Sequence, residues 1–320
     1  MKSAPPDLPV TFTNTAACDL PSNQGGGREL TEGAAPAHPQ RKTKSPRTDR
    51  PPRPARARMK ERSVPPMAPL RRLLRRSAIR MLDRGWFGSV PLQGHLVICG
   101  FPRAGTTLLQ LMVQTAVPSA RSFVRERSGL GVAQNHWPRS GQQPYLVTKR
   151  PDDIFWIDEI RDFYARLGTR TRVRFVICVR DPRAVLTSRH ELNKSEYWVS
   201  VERWRAIYEQ LRWAEGSTDV CVVDFSDIVA RVSMVQQQLT GLMGWAVSSD
   251  FNDFHKHVPE DFDTKALNGI RSLDTGTLRR WSQPDHADRM RSLLREMPEL
   301  PERVMEMGYE SDDAWTASYR

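Results

Sequence analysis

The stretch from His95 to Thr107, HLVICGFPRAGTT, constrains this chain more than any other. A short apolar run (Val97, Ile98, Cys99) ends at Gly100, and Pro102, Arg103, Ala104, Gly105, Thr106 and Thr107 follow. Leu108, Leu109, Leu111 and Met112 then recur at helical spacing. That order predicts a strand, a glycine-bounded loop and a helix. Backbone N–H groups at such a helix start point outward with a partial positive charge, which makes a phosphate site. The spacing nearly fits the pattern of two glycines followed by Lys and Ser/Thr. Here Thr106 stands where that lysine belongs, and the cation comes earlier, at Arg103. The shift argues against ordinary nucleoside-triphosphate chemistry and toward a different phosphate-bearing donor.

Strands and helices alternate after this unit. Tyr145–Thr148 reads as a short strand ending in Lys149-Arg150-Pro151, and residues 153–167 have helical periodicity. Val173–Val179 is nearly continuous in apolar residues, as in a strand covered on both faces of a parallel sheet. Pro182 opens a helix at a favoured first position, and this helix is expected to carry Ser188 about two turns in. Residues 198–214 form a further helix, 219–225 a fourth strand, and 226–243 one helix ending at Gly244. The alternation predicts an α/β fold, a P-loop-like parallel sheet flanked by helices, as a single domain over residues 93–311 with a tail at 312–320. Ligands then bind beyond the carboxyl ends of the strands.

Charge is spread unevenly. The net charge is +11, yet residues 1–92 carry 18 Lys/Arg against 7 Asp/Glu, and residues 93–320 carry 30 of each. The basic character is therefore not laid over the folded part, which argues against a nucleic-acid partner. Residues 1–66, rich in Pro, Gly, Ser, Thr and Arg, are expected to be disordered. Residues 67–92 form a basic linker: Leu70, Leu73, Leu74, Ala78, Met81 and Leu82 fall at helical spacing among Arg71, Arg72, Arg75, Arg76 and Arg80. This helix over 70–87 reads as packing on the domain's edge, with contact to an anionic membrane surface as the alternative. No apolar run is long enough for a transmembrane helix, and the start lacks a secretory core. Cys18, Cys99, Cys178 and Cys221 show no metal spacing. A cytoplasmic chain, membrane-surface associated if the helix is, follows as the expectation. The sequence sets no oligomeric state.

Arg180 follows the third strand, and Ser188 comes eight residues later within RDPRAVLTS. An arginine fork and a hydroxyl can hold a phosphate between them; Arg-Asp-Pro-Arg alone also fits a helix-start salt bridge. With the Gly100–Thr107 loop, the pair implies a ligand with two separate phosphate ends. At this point the chain resembles the sulfotransferases that use 3′-phosphoadenosine 5′-phosphosulfate. FPRAGTTLL resembles their 5′-phosphosulfate loop, and VRDPRAVLTS resembles their 3′-phosphate site, including the Arg-to-Ser spacing. The resemblance covers residues 93–311. It implies that Arg103, Ala104, Gly105, Thr106 and Thr107 hold the 5′-phosphosulfate, and that Arg180 and Ser188 hold the 3′-phosphate. It also implies a basic loop closing over the donor, for which Thr275–Trp281 with Arg279 and Arg280 is the candidate, and an aromatic near adenine at Phe225. The other reading of Phe225 is a core side chain at a strand end.

Lys149, at a strand end, fits the family's second cation, which neutralises charge on the leaving phosphate. Relatives with a histidine base place it where this chain has Pro151, so that mechanism does not carry over. The carbohydrate and tyrosine sulfotransferases use a Glu past the loop. Glu126, the only carboxylate between Gly100 and Lys149, is the matching candidate, with His136 and His190 as runners-up. The resemblance thus implies transfer of a sulfuryl group to a hydroxyl, with Arg103 and Lys149 stabilising charge, Glu126 as base and no metal required. The base type leans toward a carbohydrate or glycolipid acceptor, and a small-molecule alcohol stays open. His136, Trp137, Tyr197 and Trp198 lie in the segments expected to line the acceptor cleft. The main rival is a kinase or NTPase using Mg-ATP, because VCVVD resembles the apolar run plus Asp that holds Mg²⁺ there, with Asp224 and Thr107 as its residues. A non-catalytic nucleotide-fold scaffold is the third reading.

Overall fold

A computed structural model describes residues 68–135, 143–189, 196–260, 262, 267, 269 and 272–320. The expectations for residues 1–66, and for His136, Trp137 and His190, lie outside the described residues.

Five strands form one sheet in the order β2-β3-β1-β4-β5, and all neighbours are parallel. They are β1 (Gly94–Gly100), β2 (Ala120–Arg121), β3 (Tyr145–Lys149), β4 (Arg172–Val179) and β5 (Val220–Asp224). Strand β1 is central and buried along its whole length, as its uninterrupted apolar run requires. Its one charged-type residue, His95, is a satisfied core side chain. The ring nitrogens bond Tyr164 Oη at 2.7 Å and Thr148 Oγ1 at 2.8 Å, and burial pushes the imidazole pKa down to about 3. Gly100 closes β1 at φ 119°, where a Cβ would fall on the Cys178 carbonyl oxygen of β4. Cys99 and Cys178 are buried, Cys221 is half-buried, and burial raises all three thiol pKa values.

The helices are α1 (Ala68–Asp83), α2 (Thr106–Ala116), α3 (Gly129–Asn135), α4 (Ile157–Leu167) and α5 (Pro182–Leu186), then α6 (Val201–Ala214), α7 (Phe225–Ala230), α8 (Val232–Met243), α9 (Ala287–Glu296) and α10 (Leu300–Glu306). The chain leaves β1, makes β2 and β3 on one side, then crosses to β4 and β5 on the other. Its order therefore reverses at β1, and a crevice opens beyond the carboxyl ends of β1 and β4.

Several details differ from the sequence expectation. The helix expected over 70–87 ends at Asp83, before a 3₁₀ turn at Trp86–Gly88; that expected over 153–167 opens as a 3₁₀ turn, Pro151–Trp156; and that expected from 198 starts at Val201. The helix from Pro182 ends at Leu186: the Thr187 hydroxyl donates to the Arg183 carbonyl at 2.7 Å, and Ser188 follows the helix rather than sitting two turns inside it. Residues 226–243 form two helices, broken at Arg231, whose φ of −138° leaves the helical region and whose guanidinium returns to Asp227. Residues 312–320, set apart in sequence as a tail, hold a 3₁₀ turn at Ala314–Tyr319 that buries Thr316 and Tyr319. Helix α1 packs on the edge of the sheet domain: Ile79 is buried, and Arg80 donates to the Leu167 and Arg166 carbonyls at 3.0 Å each, closing the end of α4. No helix among the described residues is long and apolar enough to cross a membrane.

Candidate functional site

Four strand ends converge on one cleft of about 650 Å³. The loop after β1 contributes Pro102, Arg103, Gly105, Thr106 and Thr107; β3 contributes Lys149; the residue after β4 is Arg180; and Phe225 follows β5. Helix α2 starts at this cleft with Gly105 as its N-cap, at φ 83° and without a side-chain cap. Its first amides face the cleft without a side-chain cap, as those of α4, α8, α9 and α10 also lack one, whereas α5, α6 and α7 are capped by Asp181, Ser200 and Asp224. Gly105 is also sterically required, since a Cβ there would approach the Phe225 ring to 2.6 Å. Arg103 takes a positive φ of 66°, a conformation uncommon for a residue with a side chain. Ala104 is buried beneath the loop.

Lys149 is buried, and its ammonium donates to Thr107 Oγ1 at 3.1 Å and to Glu126 Oε1 at 2.8 Å. The half-exposed Glu126 carboxylate and the loop hydroxyl are therefore joined through one cation at the cleft floor. Two backbone contacts hold the Glu126 segment: Arg127 N–H donates to the Lys149 carbonyl at 3.2 Å, and Gly129 N–H donates to Asp153 Oδ2 at 2.6 Å. Sequence reasoning assigned no part to Asp153. It is fully buried, its Oδ1 has no partner, and burial raises its pKa to about 6.

Arg180 lines the same cleft beside the loop after β1. Its Nη1 donates to the Arg103 carbonyl at 2.9 Å and its Nη2 to the Thr277 carbonyl at 3.2 Å, while its buried Nε has no partner. The guanidinium lies 4.3 Å from the centre of the Phe225 ring. Burial, with Arg103 and Arg280 nearby, pulls the Arg180 pKa down to about 10, against the opposing effect of Asp181. Phe225 is a half-buried wall of the cleft rather than a core side chain.

The structure divides the RDPRAVLTS motif. Arg180 enters the cleft, whereas Asp181 caps α5 through Arg183 N–H at 2.9 Å and pairs with the Arg183 guanidinium at 2.8 Å. Arg183 is buried, pairs also with Glu310 at 2.8 Å, and lies 3.7 and 4.7 Å from the centres of the Trp281 and Trp315 rings, which meet edge to face. Ser188 does not line the cleft. It is half-buried, and its carbonyl accepts the Trp198 N–H at 2.9 Å. Of the two loop arginines, Arg280 lines the cleft, whereas Arg279 is exposed outside it. Trp198 does line it, with Arg103 5.9 Å from its ring centre. Thr277, within the expected closing loop, lines the cleft, as do Phe254 and Leu273, which the sequence did not mark: they come from distant turns with no local pattern.

Asp224 is committed elsewhere. Its Oδ1 accepts from Ser226 N and Oγ at 2.7 Å each, and its Oδ2 accepts from the Tyr309 hydroxyl. It does not line the cleft.

No protein family matches the chain, and no curated protein matches it. Among solved structures, the chain is similar to a sulfotransferase domain from the curacin biosynthetic pathway, with 14% identity and a TM-score of 0.41. The match covers 64% of this chain and 98% of that chain. A likeness at this level leaves the chemistry to the cleft residues themselves.

Proposed function

We propose that this chain transfers a sulfuryl group from 3′-phosphoadenosine 5′-phosphosulfate to a hydroxyl acceptor, a carbohydrate or glycolipid by preference and a small alcohol otherwise. The observation that carries this reading is the gathering of four cations in one cleft: Arg103 and Lys149 at the start of α2, Arg180 over the Phe225 ring, and Arg280. A donor that bears two anionic groups and a flat base finds cations and an aromatic ring in that cleft. The unpartnered Arg180 Nε supports the fit, because a buried donor without an acceptor is costly until a ligand oxygen meets it. When bound, the donor supplies an activated sulfuryl group whose departure leaves charge on a phosphate. The α2 amides, Arg103 and Lys149 stabilise that charge, Thr107 keeps the Lys149 ammonium in place, and Glu126 accepts the acceptor's hydroxyl proton. The role at the 3′ end rests on Arg180 and Arg280 rather than on Ser188, which lies outside the cleft lining. The Mg-ATP rival needs Asp224 as a metal ligand, and that carboxylate is already engaged by Ser226 and Tyr309.

Thermal melting tests the donor class. Adenosine 3′,5′-bisphosphate is expected to raise the melting temperature where 5′-AMP does not, since a ligand stabilises only by binding the native state. An equal rise with ATP plus Mg²⁺ would instead favour the kinase reading. Arg180→Ala is expected to abolish the difference between the bisphosphate and 5′-AMP, weakening bisphosphate binding by about tenfold to a hundredfold through loss of a charge-assisted hydrogen bond. Isothermal titration measures it, and unchanged affinity would remove Arg180 from the site.

A further inference from the structure

We propose that α1 and the Trp86–Gly88 turn that follows it form a docking surface for a lipid bilayer bearing anionic headgroups. Among the described residues six large apolar side chains are exposed, and four of them lie here: Leu73 and Leu74 at 62%, Trp86 at 52% and Phe87 at 79%. The same segment, Ala68 to Arg84, holds six arginines and one acid, Asp83. Arg75, Arg76 and Arg84 are exposed, whereas the Arg80 guanidinium is engaged by the Arg166 and Leu167 carbonyls. The helix is anchored by Ile79 and by the Arg80 contacts to the end of α4, so its exposed side chains are presented from a fixed base. Phe87 takes a positive φ of 57° after Gly85 at 80°, an uncommon backbone for an aromatic residue, and its ring stays outside the core.

Charge decides among the occupants of this surface. The chain's own residues 1–67 carry 12 Lys/Arg against 6 Asp/Glu, and a second copy would bring the same arginines. Both would set positive charge on positive charge. A nucleic acid would satisfy the arginines but would leave the aliphatic Leu73 and Leu74 in water. An anionic bilayer satisfies both sets: headgroups attract the arginines, aliphatic side chains enter the acyl boundary, and Trp and Phe favour the interface.

The test is sedimentation of the full-length chain with vesicles of phosphatidylcholine alone and of phosphatidylcholine with about 30% phosphatidylserine, at low and high salt. The chain is expected to pellet with the anionic vesicles, less so at high salt as screening grows. The double variant W86A/F87A is expected to lower that partitioning by about tenfold to a hundredfold through lost apolar burial. Its bisphosphate-dependent melting shift, from the cleft described above, is expected to be unchanged and reports that the variant is folded. Equal pelleting with neutral vesicles would overturn the proposal. So would wild-type pelleting by W86A/F87A, which would move the contact to residues 1–67. Tight binding to a single-stranded RNA that competes with the vesicles and is insensitive to W86A/F87A would assign the arginines to nucleic acid. A concentration-dependent dimer abolished by W86A/F87A would assign the patch to a second copy.

Discussion

In Glu126→Gln, kcat is expected to fall about 10²–10⁴-fold, the range for loss of a general base, while affinity for adenosine 3′,5′-bisphosphate stays at the wild-type value. The split follows from the geometry. Glu126 touches the cleft through Oε1, which accepts from Lys149, and a glutamine oxygen can accept the same bond. The carboxylate is 54% exposed, so its pairing with Lys149 contributes little to holding the loop. Lys149 also remains bonded to Thr107. What the variant lacks is a group able to take the acceptor's proton, a deficit that appears in kcat rather than in ground-state binding. Turnover is measured with saturating donor, and binding by titration. Wild-type turnover would move the base elsewhere, with His136 and His190 the next residues to change. Lost bisphosphate binding would instead make Glu126 a support for Lys149.

Arg183→Ala is expected to cost about 3–5 kcal/mol of stability, the range for breaking a buried ion pair, read as a lower midpoint in chemical denaturation. The guanidinium is 1% exposed and pairs with Asp181 and Glu310. Its removal leaves the buried Asp181 carboxylate without its partner and opens a void against the Trp281 and Trp315 rings. Lysine is expected to rescue poorly, because it lacks the planar fork that meets Asp181 through Nε and Nη2 together. Trp281 lies in the 3₁₀ turn Arg280–Ser282, so the loss is also expected to loosen Arg280 and weaken bisphosphate binding. Arg180→Ala, three residues earlier in the motif, is expected to weaken binding without a stability loss of that size. A wild-type denaturation midpoint for Arg183→Ala would show that the edge-to-face indoles hold this corner without the cation.

The contrast between Arg180 and Arg183 marks where sequence reasoning stops. Apolar runs and their spacing are short-range properties, set by which faces of a strand or helix are covered, and they suffice to predict β1, β3, β4, β5 and the parallel sheet. The two-residue β2 is too short to carry a period, and the break at Arg231 has no glycine or proline to announce it. The glycine-bounded loop at Gly100–Thr107 was legible because Gly100 and Gly105 occupy backbone conformations and close approaches that a side chain would obstruct. Lys149 was legible from its place at a strand end.

What each charged side chain faces was decided only by the tertiary structure. Arg180 reaches a carbonyl 97 residues away at Thr277, Lys149 reaches Glu126 across 23, and Asp153 reaches Gly129 across 24. The Arg183 site draws on Trp281 and Trp315, much further along the chain. By itself the sequence determined the order of elements and the loop that opens α2, because local backbone sterics and apolar periodicity act over a few residues. Which arginine enters the cleft, which is buried among indoles, and which apolar side chains of α1 stay exposed depended on packing between segments far apart in the chain, where desolvation and partner geometry set the outcome.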